Sequence, residues 1–379
     1  MRQRGRTACR GLVCPSRTVR TPVVILVGAG ASYACADIGD AEHSPLTRQL
    51  FDCREAQPLL SVYTLAREAR SVITRDMTAD TTIAFEEALR RLETDGYPHH
   101  QQMALGVPPF LQALLLKYSQ NLDTRCERYG ILVDELLKLQ APLMFVSVNY
   151  DTLLDNRLAA YSPLNTMADY VTTPLGWSLI KPHGSVAWFV EQPAQFAPRT
   201  PAGDLEIVTA PIQCMPTTIF DLGVVRGRRG GDPHGPSVRY PALALPNGPK
   251  EELVLPPEHR VHFEQVIGRS HEIYLLVLGY SALDTEILKL IAASTRQVRR
   301  MTVVNSDAEA ALDVFERVED AGINAIYPDV FDGSYQRWVD GGGLSRWADE
   351  YMGRPESAND PDQVRRAVAG RADERVSER

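Results

Sequence analysis

Short, mainly apolar runs recur along the chain, and each ends at small or polar residues. The clearest run is Val23–Val27, which is rich in β-branched residues and is followed by a glycine. A run of this kind is typical of a parallel strand that is buried on both faces. The same pattern predicts strands at residues 143–148, 177–180, 273–278 and 301–304, with a less marked one at 323–327.

Between these runs, apolar residues return with helical spacing. Residues 45–140 are mostly of this kind, which predicts a helical insertion between the first two strands. Residues 191–260 are rich in proline and glycine and predict a second, loop-rich insertion. Because strand-like and helix-like segments alternate, the chain as a whole is expected to form an α/β fold with a Rossmann-like parallel sheet.

The two ends of the chain differ from its middle. Residues 1–20 hold six arginines and no acidic residue, and residues 354–379 are polar and charged. We expect a basic disordered arm and a disordered charged tail around one folded domain at residues 21–353. The arm is also a candidate for nucleic-acid or partner binding, but the formal charge of −8 gives no sign of a nucleic-acid surface elsewhere. No run approaches the ~18 apolar residues of a membrane span, so no membrane contact is expected.

The six cysteines are scattered, and none belongs to a Cys-x-x-Cys pair. A four-cysteine zinc site needs two such pairs, so no zinc is expected. Scattered cysteines in a long chain fit a reducing cytoplasm, where most of them act as small buried hydrophobic residues.

The first strand runs directly into the sequence Gly28-Ala29-Gly30-Ala31-Ser32. Glycine at this point allows a tight turn and lets backbone N–H groups approach a pyrophosphate. The third glycine of the dehydrogenase fingerprint is missing, so a tight turn without a ligand is the alternative.

Polar residues also follow the second predicted strand. Asn149 and Asp151 can hydrogen-bond a sugar and a carboxamide, or Asp151 can simply cap the next helix. On that helix we expect Asp155 and Arg157 to be solvated.

His183 follows the third predicted strand and is itself followed by glycine, which allows a substrate to come close. A histidine with a pKa near neutrality can accept a proton from a ribose hydroxyl. His99-His100 and His259 with His262 resemble fragments of metal sites, but a third ligand is missing, so no metal is expected.

The later strands end in residues that suit a nucleotide. Gly279 and Ser281 lie in a turn that can bind phosphate, and Asn305 can hold a ribose or serve as an ordinary turn residue. In open α/β sheets, ligands bind at the carboxyl ends of the strands, where all of these residues are expected to meet.

Taken in order, these motifs resemble those of the sirtuin-like family. The matching pieces are GAGAS at 28–32, VNYD at 148–151, KPHGS at 181–185, GYSALD at 279–284 and VVN at 303–305. Weaker pieces are SPLT at 44–47, FEEAL at 85–89 and LPNGPK at 245–250. The resemblance implies that residues 21–353 form a cytoplasmic catalytic domain that consumes NAD⁺. It implies that Gly28, Ala29 and Ser32 contact the pyrophosphate, with Gly30 in the same binding loop. It also implies that Asn149 and Asp151 contact the nicotinamide and its ribose, and that His183 is the catalytic base. Phosphate contacts are implied for Gly279 and Ser281, and a contact with the adenosine ribose for Asn305.

Two departures narrow the resemblance. Zinc-bearing deacylases carry two Cys-x-x-Cys pairs after the catalytic His-Gly, whereas Cys214 is the only cysteine after His183. Their Gly-Ile-Pro-Asp-Phe-Arg segment is also missing. The chain looks closer to bacterial zinc-free sirtuin-like NAD⁺ hydrolases of anti-phage defence, which implies a homo-oligomer and a partner such as a hexameric DNA-translocating ATPase or a short Argonaute. The alternatives are a zinc-free deacylase or ADP-ribosyltransferase, a non-catalytic sensor of NAD⁺ or ADP-ribose, and a scaffold without NAD⁺ chemistry.

Overall fold

The predicted apolar runs form the central sheet of the computed structural model, which describes residues 20–36, 43–46, 49–79, 85–193, 213–214, 237–243 and 255–353. The described strands are β1 (Val23–Val27), β2 (Leu143–Ser147), β3 (Trp177–Ile180), β4 (Gly184–Pro193), β5 (Gln213–Cys214), β6 (Ser237–Leu243), β7 (Ile273–Leu278), β8 (Val298–Asn305) and β9 (Ala325–Ser334). Six of them form a sheet in the order β3-β2-β1-β7-β8-β9, and all neighbours in it are parallel. The predicted α/β, Rossmann-like fold class is confirmed.

The position of β1 explains why its sequence is apolar throughout. It lies between β2 and β7, with Val23 in register with Leu143 on one side and with Tyr274 on the other. Every residue of β1 and β2 is buried. The chain runs outward from β1 to β3, then returns to β7 and runs outward the other way to β9. The strand order therefore reverses between β1 and β7, where doubly wound sheets hold their ligands.

Helices flank this sheet and supply the predicted insertion. Five described helices lie within residues 45–140, between β1 and β2, which confirms the helical insertion. The described helices are α1 (Ala29–Tyr33), α2 (Ala56–Val62), α3 (Thr64–Ala79), α4 (Phe85–Thr94), α5 (Pro98–Leu122), α6 (Glu127–Lys138), α7 (Leu153–Ala159), α8 (Pro257–Arg269), α9 (Thr285–Ser294), α10 (Ala308–Asp320), α11 (Tyr335–Asp340) and α12 (Gly343–Tyr351). None of the helices in the described part is long and apolar enough to span a bilayer.

The second insertion contains regular structure that the sequence pattern did not predict. Strands β4, β5 and β6 form a small antiparallel sheet in the order β5-β4-β6, and β4 pairs with β6 from Gly184 opposite Leu243 to Pro193 opposite Ser237. The expectation of loops is wrong for these strands because proline and glycine obscured the apolar pattern. The basic arm up to residue 19, the LPNGPK motif and the tail from residue 354 lie outside the described residues.

Two of the cysteines expected to be scattered, mostly small buried hydrophobic residues are in fact bonded to each other. Cys35 and Cys126 are fully buried, and they form a disulfide between the end of α1 and the start of α6. They are 91 residues apart in the sequence. Because nothing in their spacing marks them as a pair, only the fold reveals the link.

Candidate active site

A cavity of about 850 Å³ lies at the carboxyl ends of the central strands, which is within the range of small-molecule sites. It opens where the strand order reverses, and its lining comes from the ends of β1, β2, β7, β8 and β9 together with the loop after β3. The predicted site residues that line it are Ala29, Gly30, Ser32, Asn149, Asp151, His183, Gly279, Ser281 and Asn305. The structure therefore brings together every predicted site residue except Gly28, which lies just behind the lining and contacts Asn149.

The glycines after β1 and β7 allow two backbone turns to pack directly on each other. A Cβ atom on Gly28 would lie 2.5 Å from the Cα of Tyr280, and one on Gly279 would lie 2.1 Å from the N of Ala31. Gly279 also has a φ of +55°, a conformation that favours glycine. No larger residue fits at either position without moving the opposite turn.

In this packing the N–H groups of two glycines donate hydrogen bonds to backbone carbonyls of the protein itself. The N–H of Gly28 donates to the carbonyl of Leu278 at 2.9 Å, and that of Gly30 donates to the carbonyl of Gly279 at 2.9 Å. These two N–H groups are therefore not available for the predicted pyrophosphate contacts, and the Ser32 hydroxyl is likewise bonded to Asn149 and Tyr129. The backbone of Ala29 is the part of this loop that remains for such a contact.

Asn149 joins the end of β2 to the glycine turn after β1. Its Nδ2 donates to the carbonyl of Gly28 at 3.0 Å and to Oγ of Ser32 at 2.9 Å. The two amide hydrogens are thereby used, and Oδ1 remains as an acceptor that can face a ligand. Ser32 Oγ also lies 2.9 Å from the hydroxyl of the buried Tyr129, so the amide is held in a fixed orientation.

Asp151 is buried, accepts a hydrogen bond at the start of α7 and lines the cavity. Its Oδ1 accepts from the N–H of Leu153 at 3.0 Å, as the capping alternative requires, and its side chain also lines the cavity. Burial raises the pKa of the Asp151 carboxyl, against the smaller opposing effects of Lys181, the Leu153 N–H and Ser32. A carboxyl with a raised pKa stays protonated to a higher pH than a solvated one, and in that form it can donate a hydrogen bond to a carbonyl oxygen.

His183 is held by a tight turn and paired with an acid. The N–H of Gly184 donates to the carbonyl of Lys181 at 3.0 Å, which closes the turn around His183. Nε2 of His183 lies 2.5 Å from Oδ2 of Asp284. The other oxygen of Asp284 accepts from the backbone N–H groups of Glu286 and Ile287 and so caps α9.

Asp284 is the residue that sequence reasoning missed. Burial by itself would raise the pKa of its carboxyl, but His183 and the two backbone N–H groups outweigh burial and hold the pKa below its usual value. In the sequence Asp284 is only the last residue of the GYSALD motif, and no role was predicted for it. Its contact with His183 is visible only in the fold.

The other end of the cavity is polar. Nδ2 of Asn305 donates to the carbonyl of Tyr280 at 3.3 Å, and its Oδ1 accepts from the N–H of Ser306 at 3.0 Å. Asn305 thus has the turn role considered from the sequence and also faces the cavity. Ser281 is exposed, and its carbonyl accepts from Arg317 at 2.7 Å.

The helical insertion supplies an apolar wall that was not predicted from the sequence. Among the described lining residues there is no lysine or arginine. The apolar wall is formed by Leu46, Leu50, Met77, Phe85 and Leu115.

The expectation that Asp155 and Arg157 are solvated is wrong. Asp155 is buried and forms an ion pair with the fully buried Lys181 at 2.9 Å, and Arg157 donates to the backbone carbonyl of Asp123. The partners lie far from this helix in the sequence, so its charge pattern could not reveal them.

Three of the four histidines that resembled metal-site fragments have other partners. Nε2 of the buried His259 lies 2.9 Å from the carbonyl of Met167, while His99 pairs with Glu68 and His100 pairs with Asp95. Within the described ranges there is no group of three or more potential ligands that could hold a metal ion.

Three solved structures are similar to this chain. One is a Sir2 homologue in complex with NAD, 12% identical, with a TM-score of 0.40 over 88% of this chain and 91% of that one. The second is a mutant Sir2 homologue with 2′-O-acetyl ADP-ribose, 14% identical, with a TM-score of 0.43 over 88% and 94%. The third is a mutant Sir2 homologue with ADP-ribose, 12% identical, with a TM-score of 0.37 over 89% and 95%. No protein-family model and no curated protein matches the chain. The function has to be inferred from the chain's own residues.

Proposed function

We propose that this chain binds NAD⁺ in the cavity and hydrolyses it to nicotinamide and ADP-ribose. The observation that carries the proposal is the convergence of Asn149, Asp151 and the His183–Asp284 pair on one cavity at the reversal point of the sheet. The ordered motifs that resemble the sirtuin-like family supply these same residues, which supports NAD⁺ as the substrate.

The reaction breaks the bond from the ribose C1′ to the nicotinamide nitrogen, and the electron pair leaves with nicotinamide. Such glycosidic cleavage passes through an oxocarbenium-like transition state, after which water adds to C1′ and loses a proton. His183, oriented by Asp284, would accept a proton from a ribose hydroxyl, as general bases do in other enzymes. The resulting alkoxide would take up the proton that the attacking water loses, and His183 would then release its proton to solvent, so that the products are nicotinamide, ADP-ribose and one H⁺. Oδ1 of Asn149 would position the water and the ribose hydroxyls, and Asp151 would orient the carboxamide.

The test is release of nicotinamide from NAD⁺ by the purified chain, measured with and without an acylated peptide. Release without peptide that is lost in His183→Ala supports hydrolysis. Release only with peptide would instead indicate deacylation or ADP-ribosyl transfer. Tight binding of NAD⁺ without release would indicate the sensor alternative.

A role in anti-phage defence, as a homo-oligomer with a partner, belongs to the same proposal. Free NAD⁺ hydrolysis would be toxic to the cell, so we expect a partner or assembly to restrain it. Co-expression with neighbouring genes, followed by measurement of cellular NAD⁺ during phage infection, tests this role. Unchanged NAD⁺ and unchanged phage yield would contradict it.

A further inference from the structure

A buried ion pair lies directly behind the proposed site. Lys181 is fully buried, and its Nζ donates to Oδ1 and Oδ2 of Asp155 at 3.2 and 2.9 Å and to the carbonyl of Asp151 at 2.5 Å. The three ammonium hydrogens therefore have three acceptors. The hydroxyl of Tyr170 also donates to Asp155 at 3.2 Å, which further fixes the carboxylate.

Stability alone does not account for such a pair. The free energy needed to remove two charges from water is about as large as the attraction between them. Apolar residues of similar volume therefore often stabilise a protein equally well or better. What an ion pair adds is a defined geometry for the segments that carry it.

The segments fixed here are the two that carry the proposed catalytic groups. Lys181 begins the turn that holds His183, because the N–H of Gly184 donates to its carbonyl. Its side chain then binds the backbone of Asp151 in the loop after β2. A second bond, from the N–H of Val186 to the carbonyl of Tyr150 at 2.9 Å, runs between the same two segments.

We propose that Lys181 and Asp155 are positioning residues that set the place of His183 relative to Asp284 and Asp151. The expected change in kcat rests on the proposed function, whereas the expected change in the position of His183 does not. The hydrogen bonds of the pair reach these segments through the backbone, and the charge of Lys181 also acts on the Asp151 carboxyl. The pair itself does not line the cavity, so its loss should lower kcat more than it raises KM.

The experiment replaces the pair rather than breaking it. Lys181→Met combined with Asp155→Leu keeps the volume and leaves no buried charge without a partner. The same replacement at an exposed pair, Lys138→Met with Glu135→Leu, is the matched control. Should the buried double variant fail to fold, Asp155→Glu keeps the charge but displaces the carboxylate by one methylene.

Two readouts are needed on folded protein, with the thermal midpoint recorded for each variant. The first is kcat and KM for NAD⁺. The second is independent of catalysis: the imidazole resonance of His183 in protein with ¹³C-labelled histidine, assigned with His183→Gln and followed through a pH titration.

We expect the buried double variant to keep its thermal midpoint within a few degrees and to lose about 10²-fold in kcat, because small displacements of reacting groups cost that much. Its His183 titration midpoint should move, while the exposed control behaves as wild type. A folded variant, either this one or Asp155→Glu, with wild-type kcat and an unchanged His183 titration would overturn the inference. If the wild type itself releases no nicotinamide, hydrolysis fails as the function, and the His183 titration alone decides whether the pair positions this residue.

Discussion

Nε2 of His183 lies 2.5 Å from Oδ2 of Asp284, and this contact joins the turn after β3 to the start of α9. A carboxylate beside an imidazole fixes the orientation of the ring and stabilises its protonated form. The contact gives His183 the setting of a general base, which its sequence neighbours alone do not provide.

The first prediction separates the charge of Asp284 from its capping role. Asparagine caps helices as well as aspartate does, so Asp284→Asn should remain folded with α9 intact. We expect kcat to fall by about 10² or more, since the base loses its charged partner. The control is Asp307→Asn, which removes a charge from the cap of α10 without facing His183. Equal activity of the two variants would contradict the role given to Asp284.

The second prediction concerns acid stability. Because the pKa of Asp284 is lower in the folded protein than its usual value of 3.8, its ionised form stabilises the fold at higher pH. This stabilisation is present above about pH 4 and is lost as the pH falls through the lowered pKa. Urea unfolding should therefore show wild type more stable than Asp284→Asn at about pH 5, with the difference shrinking toward about pH 2. If the difference in the free energy of unfolding between the two proteins stays constant over this pH range, the pKa of Asp284 is not lowered by folding.

The third prediction concerns Asn149, whose amide holds the carbonyl of Gly28 and the hydroxyl of Ser32. Asn149→Ala leaves two buried groups without this donor, so the free energy of unfolding should fall by about 1–3 kcal/mol. We expect kcat to fall more than about tenfold, because the water and the ribose lose their acceptor. Asn156→Ala, which removes an amide bonded to Asp123 on the far side of α7, is the control. Turnover within a few-fold of wild type would show that Asn149 serves only the fold.

The fourth prediction tests the packing of the two glycine turns. Gly28→Ala places a Cβ atom 2.5 Å from the Cα of Tyr280, so one turn must move. We expect weaker binding of NAD⁺ and a lower thermal midpoint. Gly130→Ala is the matched control, because it lies within α6 and its Cβ would meet nothing within 4 Å. That variant should be stabilised by about 0.5–1 kcal/mol, the usual helix preference for alanine over glycine. Similar midpoints for the two variants would contradict the packing described.

The inner strands β1, β2 and β7 were predictable because they are almost wholly buried on both faces and therefore mainly apolar. The predicted bounds of 177–180 and 273–278 match β3 and β7 residue for residue. The antiparallel pairing of β4 with β6 was not predictable, because the partner segments are far apart in the sequence and the Pro/Gly-rich region obscured their pattern.

The candidate site was also predictable only in part. The residues at the strand ends could be assigned to one site from the sequence, because the carboxyl ends of parallel strands meet at one edge of the sheet. The partners of those residues could not be predicted, since no role was assigned to Asp284 and Asp155 was expected to be a solvated helix residue. Each meets its counterion, His183 or Lys181, only through the fold.

The most direct measurement is nicotinamide release from NAD⁺ without any acceptor peptide, comparing wild type with His183→Ala under conditions where both are folded. Hydrolysis at this cavity predicts release by the wild type and a loss of about 10²–10⁴-fold in the variant, the usual contribution of a general base. Equal release by the two proteins, or release that strictly requires an acylated peptide, would contradict it.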